Sequence, residues 1–201
     1  YLYAELTCIF DKIIYILGEN MNKHDIAKIA QEFVLNSEYN YVSKDNALTE
    51  ELVGMKIFEE PIFAFGAADD KAFQLLKNPK AIGDHFLLPK EWMLNANTVI
   101  SYFLPFTDEI IESNRNENHW PSNEWLHGRI EGQNFVKEFS IFLNSRIIEE
   151  GYESIVPILD ARFRIGSIKN NEIQDFTSNW SERHVAYVCG LGTFGLSKGI
   201  I

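Results

Sequence analysis

The sequence predicts an α/β fold class: a layered sheet flanked by helices, with an N-terminal helical extension over residues 1–53 and the α/β domain over 54–201. Short apolar runs bounded by turn residues, Ile62-Phe63-Ala64-Phe65-Gly66-Ala67-Ala68 and Thr98-Val99-Ile100-Ser101-Tyr102-Phe103-Leu104, have the look of buried strands. A capped helical pattern lies between them, and a third run, Ser154-Ile155-Val156-Pro157-Ile158-Leu159, follows a long helical stripe. Strand, helix, strand alternation favours a layered sheet over a helical bundle.

In the extension, Leu6, Ile9, Ile13, Ile16 and Leu17 recur at helical spacing and Gly18 is placed to close that helix. A second amphipathic pattern runs from Asp25 to Leu35 behind a cap at Asn22 or Asp25, with His24 as a surface or capping residue. Past Pro61, Asp69-Asp70 caps a helix through Phe73, Leu75 and Leu76 that Asn78-Pro79 stops. Pro89 to Leu94 reads as a short helix, and Thr107 to Glu124 as a polar surface loop or lid. His119, Trp120, Trp125 and His127 are candidates for a pocket mouth, and His85 has no partner recognisable in the sequence. From Trp125 a long helix carries Phe135, Val136, Phe139, Phe142, Leu143, Ile147 and Ile148 to a closing Gly151; this aromatic stripe reads as core packing. Pro157 argues that the third strand is an edge or carries a bulge, because proline cannot donate to the ladder.

With 201 residues, 46% hydrophobic content and 23% charge, the chain can bury one substantial core. Its net charge of −11 argues against nucleic-acid backbone binding, which depends on Lys and Arg neutralising phosphates. Cys8 and Cys189 are far apart and in no metal-ligand spacing, so they read as small buried hydrophobes in a reducing compartment. No apolar run reaches membrane-span length and the first residues lack a signal peptide's basic head, which makes the cytoplasm the expected location. The start at Tyr1 and the apolar end at Gly199-Ile200-Ile201 lead us to expect a piece of a longer protein.

The chemistry concentrates in residues 178–201. Ser178 or Ser181 caps a short helix, Glu182 suits the positive end of its dipole, and Gly190 closes it in the left-handed conformation. Gly192, Gly195 and Gly199 follow, a density that brings backbone close to a ligand and offers N–H groups to an anion or a cofactor edge. Gly190-Leu191-Gly192-Thr193-Phe194-Gly195 matches the dinucleotide fingerprint in letters only, since a helix rather than a strand precedes it and the sequence runs only six residues further, short of the acidic residue that the fingerprint expects about twenty positions on.

The run Glu182 to Gly195, E-R-x-x-A-Y-x-x-G-L-G-x-x-G, resembles the glycine-rich signature of epoxyqueuosine reductase and its relatives, which include the corrinoid-dependent reductive dehalogenases. Ser101-Tyr102-Phe103-Leu104-Pro105 resembles the S-x-x-L-P segment of the same group. The resemblance implies a cobalamin-binding α/β domain with Gly190, Leu191, Gly192, Thr193, Gly195, His184 and Arg183 at the cofactor. It also implies a ferredoxin-type domain with 4Fe-4S clusters beyond residue 201, an electron donor, and a small-molecule substrate. One departure matters. The reductases carry D-S-A-P-V-L-E, whose aspartate is the proposed proton donor, and aligning on Pro157 and Leu159 puts Ser154 there. A serine hydroxyl is far too weak an acid for that role, and the adjacent Glu153 faces the other side of a regular strand, so epoxyqueuosine reduction itself is not expected.

Arg162, Arg164 and Arg183 either gather at the glycine turn to bind anionic groups or serve as exposed partners for carboxylates. His184 is either a packing residue or a group for proton delivery or axial metal contact. Two functions follow: a corrinoid-binding module of an iron–sulfur oxidoreductase, or a non-catalytic electron-carrier or binding accessory on the same scaffold.

Overall fold

The computed structural model describes residues 5–11, 21–169, 172–196 and 199. In chain order the elements are β1 (Glu5–Asp11), α1 (Lys23–Asn36), β2 (Ile62–Ala67), α2 (Lys71–Leu76), α3 (Pro89–Trp92), β3 (Ala96–Phe103), α4 (Asp108–Asn116), α5 (Asn123–Glu149), β4 (Ser154–Ile155), β5 (Ile165–Lys169), β6 (Glu172–Ser178) and α6 (Glu182–Cys189). The fold is mixed α/β, as expected from the sequence. No helix among the described residues is long and apolar enough to cross a membrane.

The chain divides into two compact units with other bounds than 1–53 and 54–201. The first comprises Met21–Ile62 and Phe103–Leu143; the second comprises the described residues of Glu5–Asn20, Phe63–Tyr102 and Asn144–Ile201.

In the first unit, α1 begins in a capping box: Asn22 Oδ1 accepts from the His24 N–H and Asp25 Oδ2 accepts from the Asn22 N–H, so two orphan donors are satisfied reciprocally. Its buried face is Ile26, Ala30 and Val34. Phe33 stacks on Phe142 at 4.3 Å and meets Phe135 and Phe139 at 5.8 Å each, so the aromatic stripe of α5 is core packing, as its spacing indicated. Gly128 and Gly132, one turn apart on α5, seat the Phe58–Phe106 stack: a Cβ at Gly128 would stand 2.9 Å from Phe106 and one at Gly132 3.1 Å from Phe58. Residues 108–116, expected as loop, form α4. Asp108 and Glu109 favour its N-terminal dipole, Arg115 its C-terminal end, and the buried Ile110 anchors it.

In the second unit a four-stranded sheet has the order β2-β3-β1-β4. The residues Leu6 and Ile9, expected in a helix, lie in β1, an interior strand; Ile13, Ile16, Leu17 and Gly18 lie outside the described residues. A short apolar run satisfies either period, and pairing decides it here, with Ile9 opposite Ile155 and Phe10 opposite Ser154 on the antiparallel β4. β2, expected to be buried, is an edge strand with exposed ends, whereas β3 buries Val99 through Tyr102. The third run is a strand only at Ser154–Ile155, since Pro157 cannot extend the ladder and instead opens a 3-10 turn through Leu159. β5 and β6, absent from the sequence expectation, form a separate antiparallel hairpin with a bulge where Gly166 takes φ 87°. Trp180, Phe86 and Trp92 centre an apolar cluster with Phe73, Val99 and Val185.

Candidate functional site

α6 ends as its sequence indicates. Gly190 takes φ 80°, the Leu191 N–H reaches the Ala186 carbonyl at 2.9 Å, and the Gly190 N–H reaches that of Tyr187 at 3.0 Å, the paired bonds of a Schellman motif. Gly192 and Gly195 do not share the left-handed conformation, so of these three Gly190 alone is required by backbone geometry. The N–H groups of Gly190, Leu191 and Gly195 are engaged within the turn, the last with the Gly199 carbonyl at 2.8 Å. That leaves less of the turn's backbone for an anion than the glycine count implied.

The turn folds back on its own helix. Phe194 lies 4.9 Å from the His184 ring and 5.6 Å from Tyr187, residues three apart on one face of α6. The result is an apolar ledge in solvent formed by Tyr187, 50% exposed, and Phe194, 37% exposed; Leu196, two residues further on, is fully exposed. Thr193 is exposed and Gly192 half-buried beside it. His184 Nδ1 stands 2.7 Å from Ser181 Oγ, and burial together with the Arg183 charge lowers its pKa, so the imidazole is neutral at pH 7. A neutral ring suits packing or ligation better than proton donation.

α6 packs on β1 and α2, and its last residue is locked against the sheet. Cys189 Sγ would stand 2.9 Å from a Cβ at position 66, so any side chain there would force the thiol or β2 to shift. Burial pushes the Cys189 thiol up to about 12; it stays protonated, 3.9 Å from the Val99 carbonyl, as the small hydrophobe its isolation in sequence indicated. The side chain of Cys8 lies outside the described residues.

Arg162 is committed elsewhere, to Asp160 at 2.8 Å, to the Trp92 carbonyl at 2.9 Å, and over the Trp92 ring at 5.0 Å. Arg164 Nη1 donates to the carbonyls of Ala161 and Phe163. Both therefore brace the chain ahead of β5, and of the three arginines Arg183 alone belongs to α6. Ser154 Oγ is buried with no hydrogen-bond partner among the described residues, and Glu153 is exposed.

The proposed pocket mouth does not assemble. Trp120 is 81% exposed, Trp125 packs edge-on against Phe106, and His127 is only 2% exposed. His127 Nε2 accepts the Leu48 N–H at 3.2 Å while Nδ1 lies 2.9 Å from Glu131 Oε2. His85 Nε2 lies 2.8 Å from Thr177 Oγ1. The His127–Glu131 spacing of four on a helix was available in the sequence; Leu48 and Thr177 left no local signal.

In comparisons with known proteins, no family model, no curated protein and no solved structure matches this chain.

Proposed function

We propose that the second unit is a binding module for one face of a flat, corrinoid-type cofactor, acting in a chain of electron transfer with 4Fe-4S clusters held outside residues 1–201. The observation that carries this reading is the solvent-exposed ledge that Tyr187 and Phe194 form at the glycine turn. Exposed aromatic groups side by side, one on a helix and one on the turn that follows it, mark a surface that gains by being covered, and burying each contributes about 1.5–3 kcal/mol before the costs of association. The resemblance of Glu182 to Gly195 to the epoxyqueuosine reductase signature adds the cofactor class.

The residues fit such a group in definite roles. Tyr187 and Phe194 supply two exposed rings 5.6 Å apart; Gly192 adds no side chain to the turn; Thr193 offers a hydroxyl, and Arg183 a charge for amide or phosphate groups at the rim. Open space surrounds the position a Gly190 Cβ would take. His184, neutral and fixed by Ser181, orients Phe194 and keeps a charge out from under the ledge. A bound corrinoid would supply electron transfer at its cobalt. Ser154, with no carboxylic acid in its place, favours a module that binds and relays electrons over one that protonates an epoxyqueuosine-like substrate. Hydroxocobalamin titrated into the chain is expected to shift its visible absorption saturably in the micromolar range. Spectra that remain the sum of free components at every ratio would refute the reading.

A further inference from the structure

Two hollows adjoin in the first unit, along α5. One, of about 340 Å³, is lined by Tyr39, Tyr41, Lys137 and the three carboxylates of Glu38, Glu131 and Glu138. The other, of about 450 Å³, shares Glu38, Tyr39 and Glu138 and continues onto Phe33, Ile141 and Phe142. The groove is therefore acidic and aromatic at one end and apolar at the other, where the stacked rings of Phe33 and Phe142 stiffen its wall.

The acidic end is built rather than merely solvated. His127 is buried, and because its Nε2 accepts the Leu48 N–H, the neutral ring carries its proton on Nδ1 and donates it to Glu131. That bond holds the Glu131 side chain, itself 15% exposed, as a fixed acceptor at the groove. Among the described residues no three acidic, histidine or cysteine side chains converge in the way a metal ion requires. Tyrosine faces beside carboxylates favour an organic cation instead, held by charge and by the ring quadrupoles. Lys137 is the one cation set against three acids there, which disfavours an anion.

We propose that this groove binds a small organic amine bearing an apolar arm, the ammonium at Glu138, which lines both hollows, on the side of the acidic end that Glu131 completes, and the arm along Phe33, Ile141 and Phe142. Ile141 and Phe142 stand one turn beyond Glu138, about 5–6 Å along the helix axis, a reach that an arylalkyl amine covers. The test is calorimetric titration of the full chain with 2-phenylethylamine, 2-phenylethanol and 3-phenylpropionate, three probes of one shape and different charge. The amine is expected to bind saturably and at least about tenfold more tightly than the alcohol, with the carboxylate weaker still. Glu138→Gln, at a half-buried surface position, should weaken the amine about fivefold or more while leaving the alcohol and the melting temperature where they were. Equal binding of amine and alcohol, tighter binding of the carboxylate, no saturation by the amine, or an unchanged amine affinity in Glu138→Gln would each overturn the proposal.

Discussion

Asn40→Ala is expected to destabilise the first unit by about 3–5 kcal/mol, the largest effect of any polar substitution we foresee in it. Asn40 is fully buried, and its amide closes three gaps in the backbone ledger at once. Nδ2 donates to the Val34 carbonyl at 2.9 Å, near the end of α1, and to the Phe58 carbonyl at 3.0 Å; Oδ1 accepts the Phe58 N–H at 2.9 Å. Alanine leaves two carbonyls and one N–H buried without partners, each worth about 1–3 kcal/mol, with incomplete additivity because they share one site. Asn40→Asp should be no milder, since it keeps the acceptor for Phe58 but turns a carboxylate toward two carbonyls. Denaturant unfolding measures the loss, and a midpoint within a few tenths of the parent's would show that water replaces the amide. Because Tyr39 and Tyr41 flank Asn40 in sequence, the same variant should also loosen the aromatic end of the groove.

Trp180→Ala should lower the stability of the second unit by a similar amount, about 3–5 kcal/mol, for a different reason. Trp180 is 2% exposed, stacked 5.6 Å from Phe86 and edge-on 6.1 Å from Trp92, and its indole nitrogen makes no hydrogen bond among the described residues. The loss is therefore one of contact and cavity rather than of polar satisfaction. Trp180 also stands immediately before Ser181, the N-cap position of α6, where the expected serine cap is not made because the Ser181 hydroxyl meets His184 and that of Ser178 the Trp180 carbonyl; the cavity therefore opens under the helix that carries the ledge. Trp180→Phe should recover more than half of the loss. A Trp180→Ala protein with an unchanged thermal midpoint would contradict the assignment of this cluster as the unit's core.

Elements whose determinants are local were legible in the sequence. Asn22 and Asp25 cap α1, Asp70 caps α2, Pro89 opens α3, and Gly190 closes α6, all through bonds spanning a few residues. What failed depended on distant partners. β1 became a strand because β4, far along the chain, pairs with it; nothing within Glu5–Asp11 chooses between the two periods. α4 escaped notice because only Ile110 is buried, too little apolar text to form a stripe, although Thr107 followed by Asp108 and Glu109 is a helix start. Asn40 reads as one more turn residue, and its importance lies in a contact with Phe58 eighteen positions on. The candidate site was legible as glycines and missed as aromatics: that Phe194 returns onto His184 and Tyr187 follows from the turn's path, which the letters do not carry.

The ledge and the glycine turn meet in a single variant. Gly192 is not among the glycines with positive φ, so Gly192→Val adds a branched side chain beside Phe194 without forcing a disallowed backbone. Cobalamin affinity and melting temperature, measured together on the parent and on Gly192→Val, are expected to separate: affinity falls at least about tenfold while the melting temperature moves by no more than a few degrees. A folded Gly192→Val protein that binds cobalamin as tightly as the parent would contradict the account.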